Sequence, residues 1–478
     1  MASRNESEDH NILGEYGNLL APYRGTGGIT TSNGQSWKCA FQVGQMTSGD
    51  VIVLCDFLPP LPFFVNIEAE KFSGLTEGNV LLESVGRIME INYLPDLQPT
   101  EESKVYAAFR LQQLDVRSGA HNSSTQVVKF GLTNFMFVGI EQSPHSQGIC
   151  VLPLTVHNGS REHHLFVQPV HGYSKIVKRL KTVKGIDVTS ELICNLKEFD
   201  GVEQAKDAAD NLCYLFSVAR GTKIQWVYCD QYDEGSKRVM RTHASRVTKP
   251  YCGLAAIDPR ADGRFETKAF IEQTYRTYVS KREPWRLNHG TIDAYLDAKA
   301  EGDYLEFRAA KLVVALEMLK SVFLEIPSSP ANEFVLDKNY FERLAHPISE
   351  AVNSILEQKG IKEDDRQGIC SVRKIEGLNR RSFRRVIDKL CKHIALNVEE
   401  EKVRLFVACR DKLVHMGRFY CEAATEQERK DCPPLSSKTD EYYFLVNFLD
   451  RIFLKLLDYS GTYIDWRVPG KPCRSERV

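Results

Sequence analysis

The hydrophobic pattern changes period once, near residue 265, and that change restricts the chain to a β-rich part followed by a helical one. Before it, apolar and polar residues alternate through Trp37–Val43, and a near-continuous apolar run occupies Val51–Phe57. Alternation sends successive side chains to opposite faces of an extended chain, so these stretches read as strands. Val80–Tyr93, Lys104–Leu114, Thr125–Val138, Cys150–Val156 and His164–Val170 have the same character. Turn-rich pieces separate them: Gly25-Thr26-Gly27-Gly28, Thr31–Ser36, Gly74–Asn79, Ser118–Ser124 and Ser143–Gly148. Pro59, Pro60 and Pro62 exclude a central strand there, because proline cannot donate to a ladder. Short strands at regular spacing predict a sandwich or barrel-like domain. Val202–Ala219 interrupts them with helical spacing (Val202, Ala205, Ala209, Leu212, Phe216) and a stop at Gly221. Lys223–Cys229 and Arg238–Val247 then flank Asp230–Gly235 as a hairpin, and a Pro/Asp/Gly cluster at Asp258–Gly263 ends the region.

From Phe265 onward the spacing is that of helices: Thr267–Arg282, Thr291–Ala300, Tyr304–Leu324, Asn339–Lys359, Asn379–Ile394, Asn397–Phe419 and Asp440–Tyr459. Leu305, Ala309, Leu312, Leu316, Leu319 and Phe323 make the clearest apolar stripe. Short connections between such helices predict a bundle. The expected fold is therefore α+β, with a β-rich domain over residues 1–264 and an all-α bundle over 265–478.

Charge and cysteine usage narrow the function. A formal net charge of −1 excludes a globally basic nucleic-acid binder, so any such role must rest on a local patch. Thirteen scattered cysteines, none in close pairs, indicate free thiols in a reducing compartment. MASRNESEDHN lacks the basic start and apolar core expected of a signal peptide, and the apolar run Tyr442–Leu457 is broken by Asn447, Asp450, Arg451 and Lys455. A soluble cytoplasmic protein with no membrane partner is expected. His157, His163, His164 and His171 lack the matching Cys or carboxylate spacing of a metal site, and alternation separates His163 from His164. Cys421 and Cys432 bracket a polar loop as free thiols. Gly25–Gly28 has neither the lysine nor the following helix of a phosphate loop. No cofactor and no metal are expected.

The chemistry-bearing stretch is Arg410-Asp411-Lys412-Leu413-Val414-His415, within the helix Asn397–Phe419. Arginine offers a planar, permanently charged fork for phosphate oxygens. Histidine is the side chain whose unperturbed titration lies nearest neutrality, suited to carrying a proton to or from a ribose oxygen. Asp411 can orient either. Five residues on a helix span roughly 140°, so Arg410 and His415 flank a shallow groove, with Leu413 and Val414 anchoring the helix between them. Arg238–His243 has the same spacing, but Val239 replaces the polar second residue and the segment reads as a strand.

This arrangement resembles the Arg-polar-x-x-x-His motif of HEPN domains, all-helical modules that include metal-independent endoribonucleases. Ala315-Leu316-Glu317-Met318-Leu319 is similar to an early HEPN helix, and a β-rich part before the bundle is similar to the ApeA group of anti-phage proteins, with Phe72–Gly78 consistent with that domain. The resemblance implies an RNA substrate, a homodimer with a composite site, catalytic Arg410, His415 and Asp411, and an N-terminal sensor for a phage-derived trigger. Glu317 reads either as a half-exposed carboxylate paired with a lysine or as a support facing the Arg410/His415 cleft. Arg380, Arg381, Arg384 and Arg385 lie opposite the stripe Phe383, Ile387, Leu390 and Ile394, as a solvated face or as a track for RNA phosphates. The alternative function is a non-catalytic HEPN module that binds RNA, dimerises or senses.

Overall fold

The computed structural model describes residues 20, 22–58, 68–94, 106–118, 124–137, 139, 141–142, 149–258, 264–327, 329–331, 333–467 and 473–474. Pro59, Pro60 and Pro62, the turn Ser143–Gly148 and the N-terminal MASRNESEDHN lie outside the described residues. The fold is α+β. Two compact units divide it, Met1–Val279 with Lys299–Glu301, and Ser280–Ala298 with Gly302–Val478.

In the first unit, strands β1 (Tyr23–Thr31), β2 (Ser36–Gln45), β3 (Val51–Phe57), β4 (Ala69–Thr76), β5 (Val80–Leu94) and β6 (Tyr106–Ser118) pair antiparallel in the order β3-β2-β1-β4-β5-β6. β3 also pairs with β6, which closes a barrel. Closure removes both sheet edges. Ile29, Phe41, Val43, Val53, Phe72, Leu82, Phe109 and Leu111 fill its interior, each no more than 3% exposed. Burial of each such side chain contributes about 1.5–3 kcal/mol. The sheet continues from β6 through β13 (Arg238–Ala244), β12 (Trp226–Tyr232), β7 (Val127–Thr133), β11 (Val188–Asn195), β10 (Arg161–Pro169), β9 (Cys150–Asn158) and β8 (Glu141–Gln142). Helix α1 (Tyr173–Val183) precedes β11, and α2 (Val202–Arg220) packs on β7 and β12 through its expected apolar face. Most of α3 (Arg264–Lys281) belongs to this unit as well.

One turn assignment from the sequence is corrected and another shortened: Gly25, Gly27 and Gly28 lie inside β1, and Gly74 lies inside β4, so that the turn of Gly74–Asn79 begins only after Thr76. These glycines admit close backbone approach: a Cβ at Gly25 would lie 2.1 Å from the Leu75 carbonyl oxygen, and one at Gly27 2.3 Å from that of Ser73. Strand β11 and helix α1 had no counterpart in the sequence reading. α1 buries only Leu180, too little apolar surface to give a stripe. The Arg238/His243 pair falls in β13, where a five-residue step reverses the face: Arg238 is exposed and His243 buried.

The second unit contains α4 (Ile292–Lys299), α5 (Leu305–Glu325), α6 (Lys338–Gln358), α7 (Glu363–Ile369), α8 (Val372–Gly377), α9 (Phe383–His393), α10 (Glu400–Met416), α11 (Tyr420–Ala423), α12 (Glu426–Asp431) and α13 (Lys438–Leu456). Helices α7, α8, α11 and α12 add short pieces that the apolar periodicity did not announce, since one or two turns carry no stripe. The core forms where α5 meets α13, α10 and α9. Leu312, Leu316, Leu319 and Phe323 of α5, Phe406 and Leu413 of α10, and Phe448 and Ile452 of α13 are all buried. The Phe406 and Phe448 rings lie 4.6 Å apart. No helix among the described residues is long and apolar enough to cross a membrane.

Candidate functional site

Helix α10 carries the site and is firmly bounded. Gly417 takes a left-handed φ of 63°, and its N–H reaches the Leu413 carbonyl at 3.1 Å, ending the helix at Met416, the residue after His415. Val403, Phe406, Cys409 and Leu413 face the core, which leaves Arg410 and Asp411 at the margin and His415 exposed. Val414 is 50% exposed and does not anchor the helix as expected; Leu413 alone does.

Arg410 is held from two sides. Its Nε and Nη2 donate to Oε1 of Glu317 on α5 at 3.1 and 2.7 Å, and its Nη1 donates to Oδ1 of Asp411 at 2.7 Å. Glu317 also pairs with Lys320 at 2.7 Å, so one carboxylate holds a lysine and Arg410 together, on the side of α10 away from His415. The Phe383 ring at the start of α9 lies under both cations, 5.1 Å from Arg410 and 5.3 Å from Lys320. Desolvation works against the Arg410 charge, but the Asp411 and Glu317 carboxylates outweigh it and raise its pKa above the ordinary arginine value. Desolvation likewise opposes ionisation of Glu317, yet its bonds from Lys320 and Arg410 hold the pKa below the usual carboxylate range. A guanidinium has five N–H donors, and three serve the two carboxylates. Two remain for a ligand.

His415 faces a separate side. It lines an open groove of about 440 Å³ together with Asp411, Lys412, Arg384, Arg404 and Tyr420. Asp411 thus touches both the Arg410 cluster and the groove. No described residue hydrogen-bonds the imidazole. Arg384 and Arg404 are bridged by Glu400, the latter at 3.7 Å. The far wall is α11–α12, held by buried Glu441: its carboxylate accepts from the Tyr420 and Cys421 amides at 2.8 and 2.9 Å, satisfying orphan donors at the N-terminus of α11. Lys412 ties this wall back to α10 through Glu428 at 2.9 Å.

The predicted arginine face divides. Arg384 enters the groove, and Arg385 stays exposed on α9. Helix α9 begins only after the Ser382 cap, so Arg380 and Arg381 precede it: Arg380 pairs with Glu333 at 3.7 Å and the Arg381 amide donates to the Glu333 carbonyl at 2.9 Å. Lys320, Phe383, Arg404, Lys412 and Glu441 belong to the site and were not singled out from sequence. Only Lys320, at helical spacing from Glu317, had a legible signal. Among the described residues, no three His, Cys, Asp or Glu side chains converge to hold a metal. No family model, curated protein or solved structure matches the chain.

Proposed function

We propose that this protein is a metal-independent endoribonuclease of the HEPN type, acting as an anti-phage effector. The observation that supports it is the α10 arrangement: an arginine fixed by Glu317 and Asp411 with N–H groups to spare, and an unpartnered, solvent-facing His415 on the same helix. In the reaction, the ribose 2′-oxygen attacks the adjacent phosphorus as its proton leaves, and the P–O5′ bond breaks as the 5′-oxygen takes a proton. The products are a 2′,3′-cyclic phosphate and a 5′-hydroxyl. His415 carries the proton, Arg410 stabilises the charge growing on the non-bridging oxygens, and Asp411 orients the two. Arg384 and Arg404 meet flanking phosphates in the groove.

The angular split between Arg410 and His415 favours a composite site, in which each protomer of a homodimer supplies part. Val414 and Met416, 50% and 52% exposed beside His415, offer apolar surface for the twin helix. The test is RNA cleavage by His415→Ala. Loss of about 100-fold or more in rate, with thermal stability kept, is expected; cleavage at the parent rate sinks the assignment.

A second reading has one observation in its favour. Glu317 and Asp411 balance the Arg410 charge within the chain, as they would if Arg410 served only to lock α10 to α5. A non-catalytic RNA-binding or sensing module would then retard RNA in a gel without products, unaffected by loss of His415.

A further inference from the structure

Helix α1 turns a strip of unpaired cations outward from the first unit. Its span Tyr173–Val183 holds Lys175, Lys178, Arg179 and Lys181, Lys184 caps its C-terminus, and no acidic residue lies among them. Two of these cations are neutralised: Arg179 pairs with Asp187 and Lys184 with Glu301. Lys175, Lys178 and Lys181 are exposed and pair with no acid among the described residues.

Helix geometry puts these three lysines on one side. Leu180, 1% exposed, marks the direction of β11, on which α1 packs. At 100° per residue Tyr173, Ile176 and Val177, all half-buried, fall within about 60° of it. The lysines fall in an arc of about 120° on the opposite side, over about 9 Å of helix rise. The helix is fixed from beneath: the Tyr173 hydroxyl donates to the Phe137 carbonyl and accepts from the Phe137 amide, each at 2.8 Å.

The arrangement works against helix stability. Gly172 supplies no side-chain cap, the first turn has no acid, and Lys175 stands there at the positive end of the helix dipole. Repulsion between lysines three residues apart adds to the cost. A merely solvated face intersperses both signs of charge. On a chain of formal net charge −1, like charge gathered on one helix face complements a polyanion.

We infer that the first unit binds RNA along α1, with Lys175, Lys178 and Lys181 contacting backbone phosphates. Flexible lysine stems on one face reach successive phosphates, a contact that reads charge and not sequence. A bilayer fits less well. An interfacial helix buries an apolar face in the lipid, and α1 turns its own to the sheet, leaving Val183, 70% exposed, outside. The choice of RNA among polyanions rests on the ribonuclease reading, but the strip shares no residue with the α10 groove.

The experiment follows binding of the full chain to a fluorescent 2′-O-methyl RNA of about 20 nucleotides by anisotropy, from about 50 to 200 mM salt. That RNA has no 2′-hydroxyl to attack, so cleavage does not intrude. Lys175→Gln/Lys178→Gln/Lys181→Gln lowers the slope of log affinity against log salt by about two to three, roughly 0.7–1 per cation, and weakens binding about tenfold or more at 200 mM. The same loss appears on top of Arg384→Gln/Arg404→Gln. Lys175→Arg/Lys178→Arg/Lys181→Arg, which keeps the charge, binds within about threefold of the parent. Both triple variants keep the parent melting temperature, and vesicles rich in phosphatidylserine do not displace the RNA. An unmoved slope in the glutamine variant, an equal loss in the arginine variant, or displacement by the vesicles each overturns the inference. Cleavage of unmodified RNA is scored apart. If His415→Ala cuts at the parent rate while the glutamine variant loses binding, the ribonuclease reading falls and the α1 surface stands. If cleavage depends on His415 and the slope does not move, the α1 surface alone falls.

Discussion

Removing the Arg410–Glu317 pair tests whether α10 is locked to α5 as the geometry requires. Two arginine N–H groups converge on one carboxylate oxygen at 3.1 and 2.7 Å, and the two side chains are only 22% and 28% exposed. Fully exposed pairs contribute about 0.2–1 kcal/mol, and breaking a fully buried pair costs about 3–5 kcal/mol. This pair lies between, so after discounting for partial exposure we expect a coupling of about 1–2 kcal/mol. Glu317 also holds Lys320, so a single substitution overstates the effect. A double-mutant cycle of Glu317→Gln and Arg410→Gln isolates the shared term. The assay is urea unfolding followed by far-ultraviolet circular dichroism, with an unchanged slope as the condition for comparing midpoints. The pH dependence gives a second handle. The folded pKa of Glu317 lies below its ordinary 4.5, so its contribution is complete above 4.5 and is lost as pH falls through the lowered folded value. The coupling must therefore be present at pH 7 and shrink only below pH 4.5. A coupling under about 0.3 kcal/mol at pH 7, the additivity error of such cycles, would refute the lock. So would a coupling that persists unchanged down to acid unfolding.

Other expectations address both units. His243 is 1% exposed, and burial lowers its pKa from 6.5 to about 3, so protons favour the unfolded chain below 6.5. The first unit should lose about 2 kcal/mol between pH 7.5 and 5 on this account, and His243→Leu should flatten that slope in acid titrations of stability. Gly131→Ala would put a Cβ 2.1 Å from the Tyr228 ring, which is pinned by its hydroxyl to Glu191 at 2.9 Å; a cost of about 1–3 kcal/mol follows, and an unchanged melting temperature would contradict the packing. Arg384→Gln and Arg404→Gln should weaken RNA binding about equally for all sequences, each lowering the slope of log affinity against log salt by about one. A sequence-selective loss would remove them from the phosphate track.

What could be read from the chain alone was periodicity and composition. Val51–Phe57 is a strand because a continuous β-branched and apolar run has nowhere to go but the interior, and its bounds match the structure residue for residue. Helix α5 was equally plain, since eight buried residues recur at helical spacing along it. The same local reading failed where a residue's role depends on a distant segment. Gly25 and Gly27 look like a turn until β4 is laid against them, and only then is the missing side chain a requirement of packing. Helix α1 buries one residue and so leaves no stripe to read. At the candidate site, sequence placed Arg410, Asp411 and His415 on one helix, because helical spacing is a local property, whereas Glu317 was picked out only by the resemblance of Ala315–Leu319 to a HEPN helix. It could not join Arg410 to Glu317 across ninety-three residues, put the Phe383 ring beneath both cations, or bring Arg384 and Arg404 to the His415 groove while leaving Arg380 and Arg381 outside α9. Those contacts are non-local. Each depends on how α5, α9 and α10 pack around α13, and packing is decided by the shape of the whole core rather than by any window of the chain.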